Sequence, residues 1–134
     1  MSDTPNPAYF RSRFKAEAPA AGFPRRFGIV TAYNPYARNQ KAELNELADA
    51  ALRQYLEERR FPHFRATGGS VDRRHTEPGF AIEAEDPNDI RAISRLFHQD
   101  AFYWVDEGTL FVANTEGATF HPVGVWQDRQ LPAF

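Results

Sequence analysis

Apolar and polar residues alternate along several stretches of the chain, and a period of two residues predicts β-strands. Residues 9–17 place Phe10, Phe14 and Ala16 on one face and charged side chains on the other, which predicts a half-buried strand at a sheet edge. Residues 26–33 are more continuously apolar, as expected of a central strand. Further strands are predicted at residues 64–67, at residues 80–85, and in a hairpin over residues 101–115 that turns at Asp106-Glu107-Gly108.

Two stretches show the spacing of three to four residues that is typical of amphipathic helices. The first follows Asn39, which we predict as its N-cap, and ends before Pro62. Its predicted buried stripe is Leu44, Leu47, Ala48, Ala51, Leu52, Tyr55 and Leu56. The second helix begins with Asp86 as N-cap and Pro87 in the first turn. Its predicted stripe is Ile90, Ile93, Leu96 and Phe97.

The order of these elements predicts an α+β fold class. We expect a single mixed or antiparallel sheet with two helices on one face, arranged as a ferredoxin-like β-α-β-β-α-β core with an extra N-terminal strand and a C-terminal hairpin. Residues 1–8 are polar and contain proline, and we predict that they form a flexible N-terminal arm. Residues 9–134 are predicted to form a single α+β domain.

The composition narrows the class of protein. The chain has 134 residues, of which 42% are hydrophobic and 14% aromatic, which suffices for one core and is too apolar for a disordered chain. The chain contains no cysteine, which excludes disulfides and thiolate ligands. No apolar run approaches the ~20 residues that a membrane span needs. The first ten residues show no basic segment followed by an apolar stretch, so we expect no secretory signal. We therefore predict a soluble cytoplasmic protein with no membrane partner.

The charge is unevenly distributed along the chain. Residues 1–74 carry 13 Lys and Arg against 8 Asp and Glu, whereas residues 75–134 carry 3 against 10. Most of the basic residues are Arg, which suits forked pairing with a carboxylate or phosphate. Pairing between the two halves of the chain and genomic base composition explain the same pattern. The net charge of −2 gives no strong nucleic-acid signal.

The stretch "TAYNPYARN" at residues 31–39 is the first candidate site. In structural terms, Asn34-Pro35 ends a strand with a turn and Asn39 caps the helix. In functional terms, the end of a central strand that leads into a helix N-terminus exposes backbone N–H groups that favour an anion, and Arg38 adds charge. No phosphate-binding glycine motif is present. The predicted ligand-binding residues here are Thr31, Asn34, Arg38 and Asn39.

The second candidate site is "GGSVDRRHTEP", residues 68–78. A solvated loop that turns or bulges at Gly68-Gly69 explains this composition. Alternatively, His75 lies near two carboxylates that can orient it or share a proton, which is the arrangement of an acid/base site. The catalytic candidates are Asp72, His75 and Glu77, and the ligand-binding candidates are Ser70, Arg73 and Arg74.

Metal and base-stacking sites have weaker signals. The histidines at positions 63, 75, 98 and 121 show no metal-ligand spacing, so we predict no metal and no cofactor. The aromatic residues of the hairpin are Phe102, Tyr103, Trp104 and Phe111. Exposed rings on a sheet stack on bases, but alternate positions of a hairpin face opposite sides, so we expect these rings to pack in the core.

Several short motifs resemble DUF3293, a family of uncharacterised bacterial proteins. "IVTAYNP" at residues 29–35 is similar to the Thr-Ala-Trp-Asn-Pro strand end of the family, "GGSVDRRHTEPGF" to its loop leading to Glu-Pro, and "LFHQDAFYW" to its Phe-Gly-Gln-x-Ala pattern. The resemblance covers roughly residues 9–113. Matching positions are Thr31, Asn34, Pro35, Asn39, Asp72, Glu77, Phe97 and Gln99.

Four positions depart from the family pattern. Tyr33 and His75 stand where the family has Trp, Gly79 stands where it has Ser, and His98 stands where it has Gly. An aromatic residue at position 75 in relatives weakens the case for His75 as a catalytic group. The family brings no established activity, so the resemblance indicates where a site lies and not what it does.

Three hypotheses about function follow. The first is a binding or regulatory module whose site lies between the two candidate stretches and holds a small polar or anionic ligand through Asn34, Arg38, Arg73 and Arg74. The second is a hydrolase or nucleotide-processing enzyme that uses Asp72, His75 and Glu77 as acid/base groups. The third is a protein–protein interaction adaptor, which an exposed apolar patch on the aromatic hairpin or docked tail would favour. The sequence leaves the oligomeric state open.

Overall fold

The computed structural model describes residues 3–70 and 75–131. These residues form strands β1 (Arg13–Ala16), β2 (Arg26–Thr31), β3 (His63–Gly69), β4 (Thr76–Glu83), β5 (Ala101–Asp106), β6 (Thr109–Asn114) and β7 (His121–Val125). Helix α1 (Ala42–Glu58) follows β2, and helix α2 (Pro87–Leu96) follows β4. Short 3₁₀ turns span Pro7–Arg11, Pro35–Ala37 and Trp126–Arg129.

The strands form one sheet in the order β1-β3-β4-β2-β5-β6-β7, and neighbouring strands are antiparallel. The sheet curls so far that its two edges approach each other. Phe14 in edge strand β1 bridges to Gln130, which lies beyond edge strand β7, and the Leu131 N–H donates to the Phe14 carbonyl at 2.7 Å. A register shift between Leu110 and Phe111 adds a local bend to the β6–β7 end. The sheet is therefore a half-barrel with a concave and a convex face.

The predicted ferredoxin-like fold class is wrong. The described sheet has seven strands, is antiparallel throughout and is curled, instead of forming a flat layer that is covered by helices on one face. Its concave face carries a second core, which the prediction lacked. The sequence pattern gave no sign of curvature, because alternation reports which residues are buried and not how far a sheet bends.

The two faces of the sheet bury two separate apolar cores. On the convex face, both helices pack over one cluster, which includes Leu52, Leu56, Ile90, Ile93, Phe80, Phe102 and Trp104. On the concave face, the sheet wraps around a cluster that includes Phe14, Phe27, Ile29, Tyr103, Val105, Leu110 and Trp126. The central strands β2 and β5 are buried on both faces, which explains why their sequences are continuously apolar.

The helices follow the predicted positions with two corrections. Helix α1 is rotated relative to the predicted stripe, since Leu44 and Leu47 are 49% and 67% exposed while Asn45 is 6% exposed. Asn39 does not cap α1, because the N-cap position is Lys41 and no side chain caps it. The predicted start of α2 is confirmed: the Asp86 carboxylate accepts from the Asn88 N–H at 2.9 Å.

Strands β3 and β4 extend further than predicted. β3 continues through Gly68 and Gly69, so the predicted turn at this pair is wrong. β4 begins at Thr76 and pairs Glu77 with Gly68. Gly68, Gly69 and residues 76–78 of the second candidate stretch therefore belong to a long antiparallel ladder, and this ladder carries Glu77 to one end of the half-barrel.

The N-terminal segment lies along the β6–β7 end of the molecule. The Asp3 carboxylate accepts from the Thr119 N–H at 2.9 Å, and Asn114 donates to the Asp3 carbonyl at 3.0 Å. The hydrogen bond from Thr119 lowers the pKa of Asp3. The flexibility of residues 1–8 stays a prediction.

Candidate functional site

A cavity of about 670 Å³ opens at the end of the half-barrel where β2 ends and β4 begins. Its floor is the concave face of the sheet and is apolar, and it is lined by the largely buried side chains of Phe14, Ile29, Ala66 and Tyr103. Its rim is polar and is formed by Thr31, Asn34, Asn39, Ser70, His75, Glu77, Gln99 and Asp100. The cavity therefore combines an apolar interior with hydrogen-bonding groups at one opening.

The 3₁₀ turn Pro7–Arg11 and Ser12 form one wall of the cavity. The wall is attached to the sheet because the Tyr103 hydroxyl donates to the Tyr9 carbonyl at 2.8 Å. The rings of Tyr9 and Tyr103 meet edge to face, with centroids 6.1 Å apart. Burial raises the pKa of Tyr9, and the nearby Asp100 and Glu77 carboxylates raise it further. Burial also raises the pKa of Tyr103.

Thr31 joins the two candidate stretches at the cavity rim. Its hydroxyl donates to the Pro78 carbonyl at 2.7 Å and accepts from the Tyr33 N–H at 3.0 Å. Its backbone pairs with Gly79 in the sheet. A Cβ at position 79 would come within 2.8 Å of the Val30 carbonyl oxygen, so Gly79 permits this close pairing. The Thr31 hydroxyl is thus fully engaged in holding the rim together.

Asn34 lies at the centre of a small amide network. It adopts a left-handed conformation, with φ 50° and ψ 59°. Its side-chain oxygen accepts from the Gln40 N–H and from the Asn45 amide, both at 3.1 Å. The Asn45 oxygen in turn accepts from the Asn34 N–H at 2.8 Å and from the Gln40 amide at 2.9 Å. Asn45 is buried, so these bonds set the path of the loop above the cavity.

The loop that follows Asn34 has a strained backbone. Tyr36 and Ala37 also have positive φ, at 60° and 56°, a region that non-glycine residues enter at a cost. The loop is held against the segment after α2: the Tyr36 N–H donates to the His98 carbonyl at 2.7 Å, and their rings stack 4.6 Å apart. The Gln99 amide donates to the Tyr33 carbonyl at 3.2 Å.

The tip of the β3–β4 ladder forms the other side of the rim. The Ser70 N–H donates to the His75 carbonyl at 2.9 Å, and the His75 N–H donates to the Ser70 hydroxyl at 3.2 Å. The His75 Nε2 lies 3.3 Å from the Glu77 carboxylate. The His75 side chain is 66% exposed and that of Glu77 is 30% exposed, so Glu77 is the more enclosed of the two.

The structure brings six of the predicted site residues to this one cavity. These are Thr31, Asn34, Asn39, Ser70, His75 and Glu77. Arg38 is exposed and is not part of the cavity lining. Three further residues that we predicted for the site lie outside the described residues: Asp72, Arg73 and Arg74.

Sequence reasoning missed the groups that the curvature of the sheet brings to the cavity. Tyr9 and Arg11 come from the 3₁₀ turn before edge strand β1, Tyr103 comes from central strand β5, and no local motif links them. Asp100 and Gln99 follow α2. Of these residues, the motif comparison singled out Gln99 as a position shared with the family.

The structure also bears on the base-stacking, metal-binding and membrane expectations. The hairpin rings of Phe102, Tyr103 and Trp104 are buried, as the core-packing alternative predicted. In the described parts of the chain, no group of three or more His, Asp and Glu side chains is placed to hold a metal ion. None of the helices in those parts has the length and apolar character needed to cross a membrane.

Comparison with known proteins identifies a family. No curated protein and no solved structure matches the chain. The sequence profile described as "Protein of unknown function (DUF3293)" matches residues 30–102, more than half of the chain. The matched region contains the cavity rim from Thr31 to Asp100 and excludes the wall around Tyr9. The chain therefore belongs to the DUF3293 family, in agreement with the resemblance of its motifs.

Proposed function

We propose that this protein is a binding module that holds a small molecule in the cavity at the end of the half-barrel. The observation that carries the proposal is the cavity itself, with a volume of about 670 Å³, an apolar floor and a polar rim. Small-molecule sites have volumes of about 300–1,000 Å³ and combine apolar walls with a few placed polar groups. The ligand then has an apolar part that lies on Phe14, Ile29 and Tyr103, and a polar part that meets the rim.

Pre-organisation of the rim supports this proposal. Asn34 and Asn45 form reciprocal hydrogen bonds, and Thr31 ties β2 to the Pro78 carbonyl. A rim that is already ordered loses little conformational freedom when a ligand binds. The left-handed residues at 34, 36 and 37 support the same view, since strained backbone clusters at functional sites. A regulatory role would require a second partner that senses the bound ligand.

A cavity-blocking variant tests the proposal. Ala101 lines the cavity and its side chain is half-buried, so Ala101→Phe places a ring inside it. Ala92 is exposed on α2 and lies outside the cavity lining, which makes Ala92→Phe the matched control. Thermal-shift measurements with a library of nucleotides, phosphosugars, amines and carboxylates should find compounds that stabilise the wild type and the control variant.

The same compounds should lose their effect on Ala101→Phe. Because a ligand at a hundred times its Kd stabilises by roughly 2.7 kcal/mol, a specific binder is readily separated from a weak one. A library in which no compound stabilises the wild type, or in which both variants respond alike, would contradict the proposal.

The His75–Glu77 pair favours a second candidate function, an acid/base enzyme. The Glu77 carboxylate lies 3.3 Å from His75 Nε2, so it can orient the imidazole as an acid or base towards a molecule bound in the cavity. Hydrolysis assays with nucleotides and simple esters should then show an activity that Glu77→Gln reduces by about a hundredfold. Equal rates for wild type and Glu77→Gln would exclude this role. The adaptor hypothesis has no support from the hairpin, whose rings are buried.

A further inference from the structure

We infer that the ligand of the cavity is an organic cation, an amine with an apolar substituent. This inference rests on the proposed binding function and adds the charge of the ligand. The polar and Arg-rich sequence of the two candidate stretches predicts a small polar or anionic ligand, and the inference replaces the anionic alternative with a cation. The described cavity lining carries two carboxylates, Glu77 and Asp100, against one guanidinium, Arg11.

Two carboxylates line the cavity, and neither forms an ion pair with an Arg or Lys among residues 3–70 and 75–131. Glu77 is 30% exposed and lies 3.3 Å from His75, its one ionisable neighbour within salt-bridge distance among the described residues. Asp100 is exposed, lines the cavity, and its carboxylate forms no salt bridge with another described residue. Both side chains line the same cavity, Glu77 from the β3–β4 ladder and Asp100 from the segment after α2. A positively charged ligand in this cavity would be attracted by both.

The pKa of Tyr9, in the wall of the cavity, agrees with two carboxylates lining the same cavity. Asp100 and Glu77 both act on the Tyr9 hydroxyl, and both raise the pKa of that group. Arg11 is part of the same wall and is exposed, and burial raises the pKa of Tyr103 whereas the charge of Arg129 acts to lower it. The negative charge of the two carboxylates therefore acts at the Tyr9 end of the wall, where a low-dielectric cavity strengthens the attraction between a carboxylate and a bound cation.

Three aromatic residues, Tyr9, Phe14 and Tyr103, line the same cavity as these carboxylates. Tyr103 meets Tyr9 at an interplanar angle of 73°, and it meets Phe14 at 85° with ring centroids 5.0 Å apart. Aromatic rings attract organic ammonium groups through their π-systems. An amine with an apolar substituent matches the rings, the floor and the two carboxylates together.

Three probes of similar shape and different charge test the inference: phenethylamine, phenylpropionate and phenethyl alcohol. Calorimetric titration should show that phenethylamine binds the wild type most tightly. Glu77→Gln and Asp100→Asn should each weaken phenethylamine binding by about threefold to fivefold, as expected for partly exposed ion pairs. Their binding of phenethyl alcohol should stay unchanged.

Glu83→Gln is the matched control, because Glu83 is an exposed carboxylate on the same strand as Glu77 and lies outside the cavity lining. Equal binding of all three probes, or preference for phenylpropionate, would overturn the inference while leaving the binding function standing. If none of the three probes binds, the inference is also overturned. The thermal-shift library, measured on the wild type and on Ala101→Phe, then tests the binding function separately.

Discussion

Asn45 shows how a single polar residue inside an apolar stripe can organise the candidate site. It lies on the buried face of α1, where the helical pattern alone favours leucine, and it hydrogen-bonds Asn34 and Gln40. Polar groups this deeply buried are tolerated when their bonds are satisfied. The family-matching Asn34 is therefore held in its left-handed conformation by a partner that the sequence pattern did not single out.

Asn45→Ala should destabilise the protein by about 1–3 kcal/mol, because it leaves the Asn34 N–H without its acceptor in a part-buried position. Urea unfolding measures this change as a shift of the midpoint with an unchanged slope. Gln54→Ala on the exposed face of the same helix is the control, and it should cost less than about 0.5 kcal/mol. Equal effects for the two variants would show that the amide network contributes nothing to stability.

His98 occupies a backbone position that favours glycine. Its φ is 57°, a left-handed conformation that glycine adopts without steric cost, which fits the expectation of glycine at this position from the motif resemblance. The imidazole stacks on Tyr36 and so recovers part of the conformational cost. The segment after α2 is thereby held next to the strained loop at the cavity rim.

His98→Gly and His98→Ala separate the backbone effect from the stacking effect. Ala loses the stack and keeps the strain, so His98→Ala should be destabilised by about 0.5–1 kcal/mol. His98→Gly loses the stack and relieves the strain of about 1 kcal/mol, so it should be at least as stable as the wild type. Thermal unfolding of the three proteins checks the order, and a His98→Gly variant less stable than His98→Ala would contradict it.

At the scale of elements, α2 packs closely on β2, and this contact determines how near the helix lies to the convex face of the sheet. Gly28 in β2 lies under α2, and a Cβ at this position would come within 2.4 Å of Ile90 Cγ2. The helix therefore approaches the sheet more closely than any side chain at position 28 would permit. This contact also places the segment after α2, with Gln99 and Asp100, at the cavity rim.

Gly28→Ala should cost about 1–3 kcal/mol, because the extra methyl group overpacks the contact with Ile90. Gly68→Ala is the matched control in a neighbouring part of the sheet, since its Cβ would lie 3.4 Å from Phe14 Cε1 and the ring tip has only to give slightly. Chemical denaturation of both variants measures the difference. A Gly28→Ala protein as stable as Gly68→Ala would contradict the packing described for α2.

Elements with their own local signals were predictable from the sequence. Asp86 and Pro87 mark the start of α2, and the continuous apolar run at residues 27–30 marks a strand that is buried on both faces. The face of α1 was misjudged, because Leu44 and Leu47 fit a helical spacing that the sheet does not cover. Spacing identifies a helix, but its rotation depends on what it packs against.

At the scale of the molecule, curvature of the sheet creates the cavity and was not predictable from local patterns. Phe14 and Gln130 lie far apart in sequence and meet only because the half-barrel nearly closes. The opposite end of the molecule is closed by ion pairs of Arg26 with Glu85 and Asp106. These pairs join the basic first half of the chain to its acidic second half, which is the internal pairing that the charge distribution allowed.

Stability should fall at high pH through the tyrosines at the cavity wall. Burial raises the pKa of Tyr9 and Tyr103 in the folded state above the ordinary value of 10.0. Their contribution to the free energy of unfolding is therefore fully present below about pH 10. It is lost as the pH rises further, because these tyrosines ionise at a lower pH in the unfolded chain than in the folded protein. Urea midpoints measured across this range should decline.

Tyr103→Phe removes one of these groups, so its urea midpoint should decline less steeply with pH than that of the wild type. Its stability below pH 10 should be lower, since the hydrogen bond to the Tyr9 carbonyl is lost. Identical pH profiles for the two proteins would show that Tyr103 does not carry the effect.

The most direct test of the central claim is an amide NMR titration of the wild type with phenethylamine. We expect the largest shifts at cavity positions such as Thr31, Gly69 and Gln99, and none near the ion pairs of Arg26 at the opposite end. Ala101→Phe should abolish these shifts. Shifts that are absent, or that gather on the exposed leucines of α1 and leave the cavity residues unchanged, would contradict a ligand site at the end of the half-barrel.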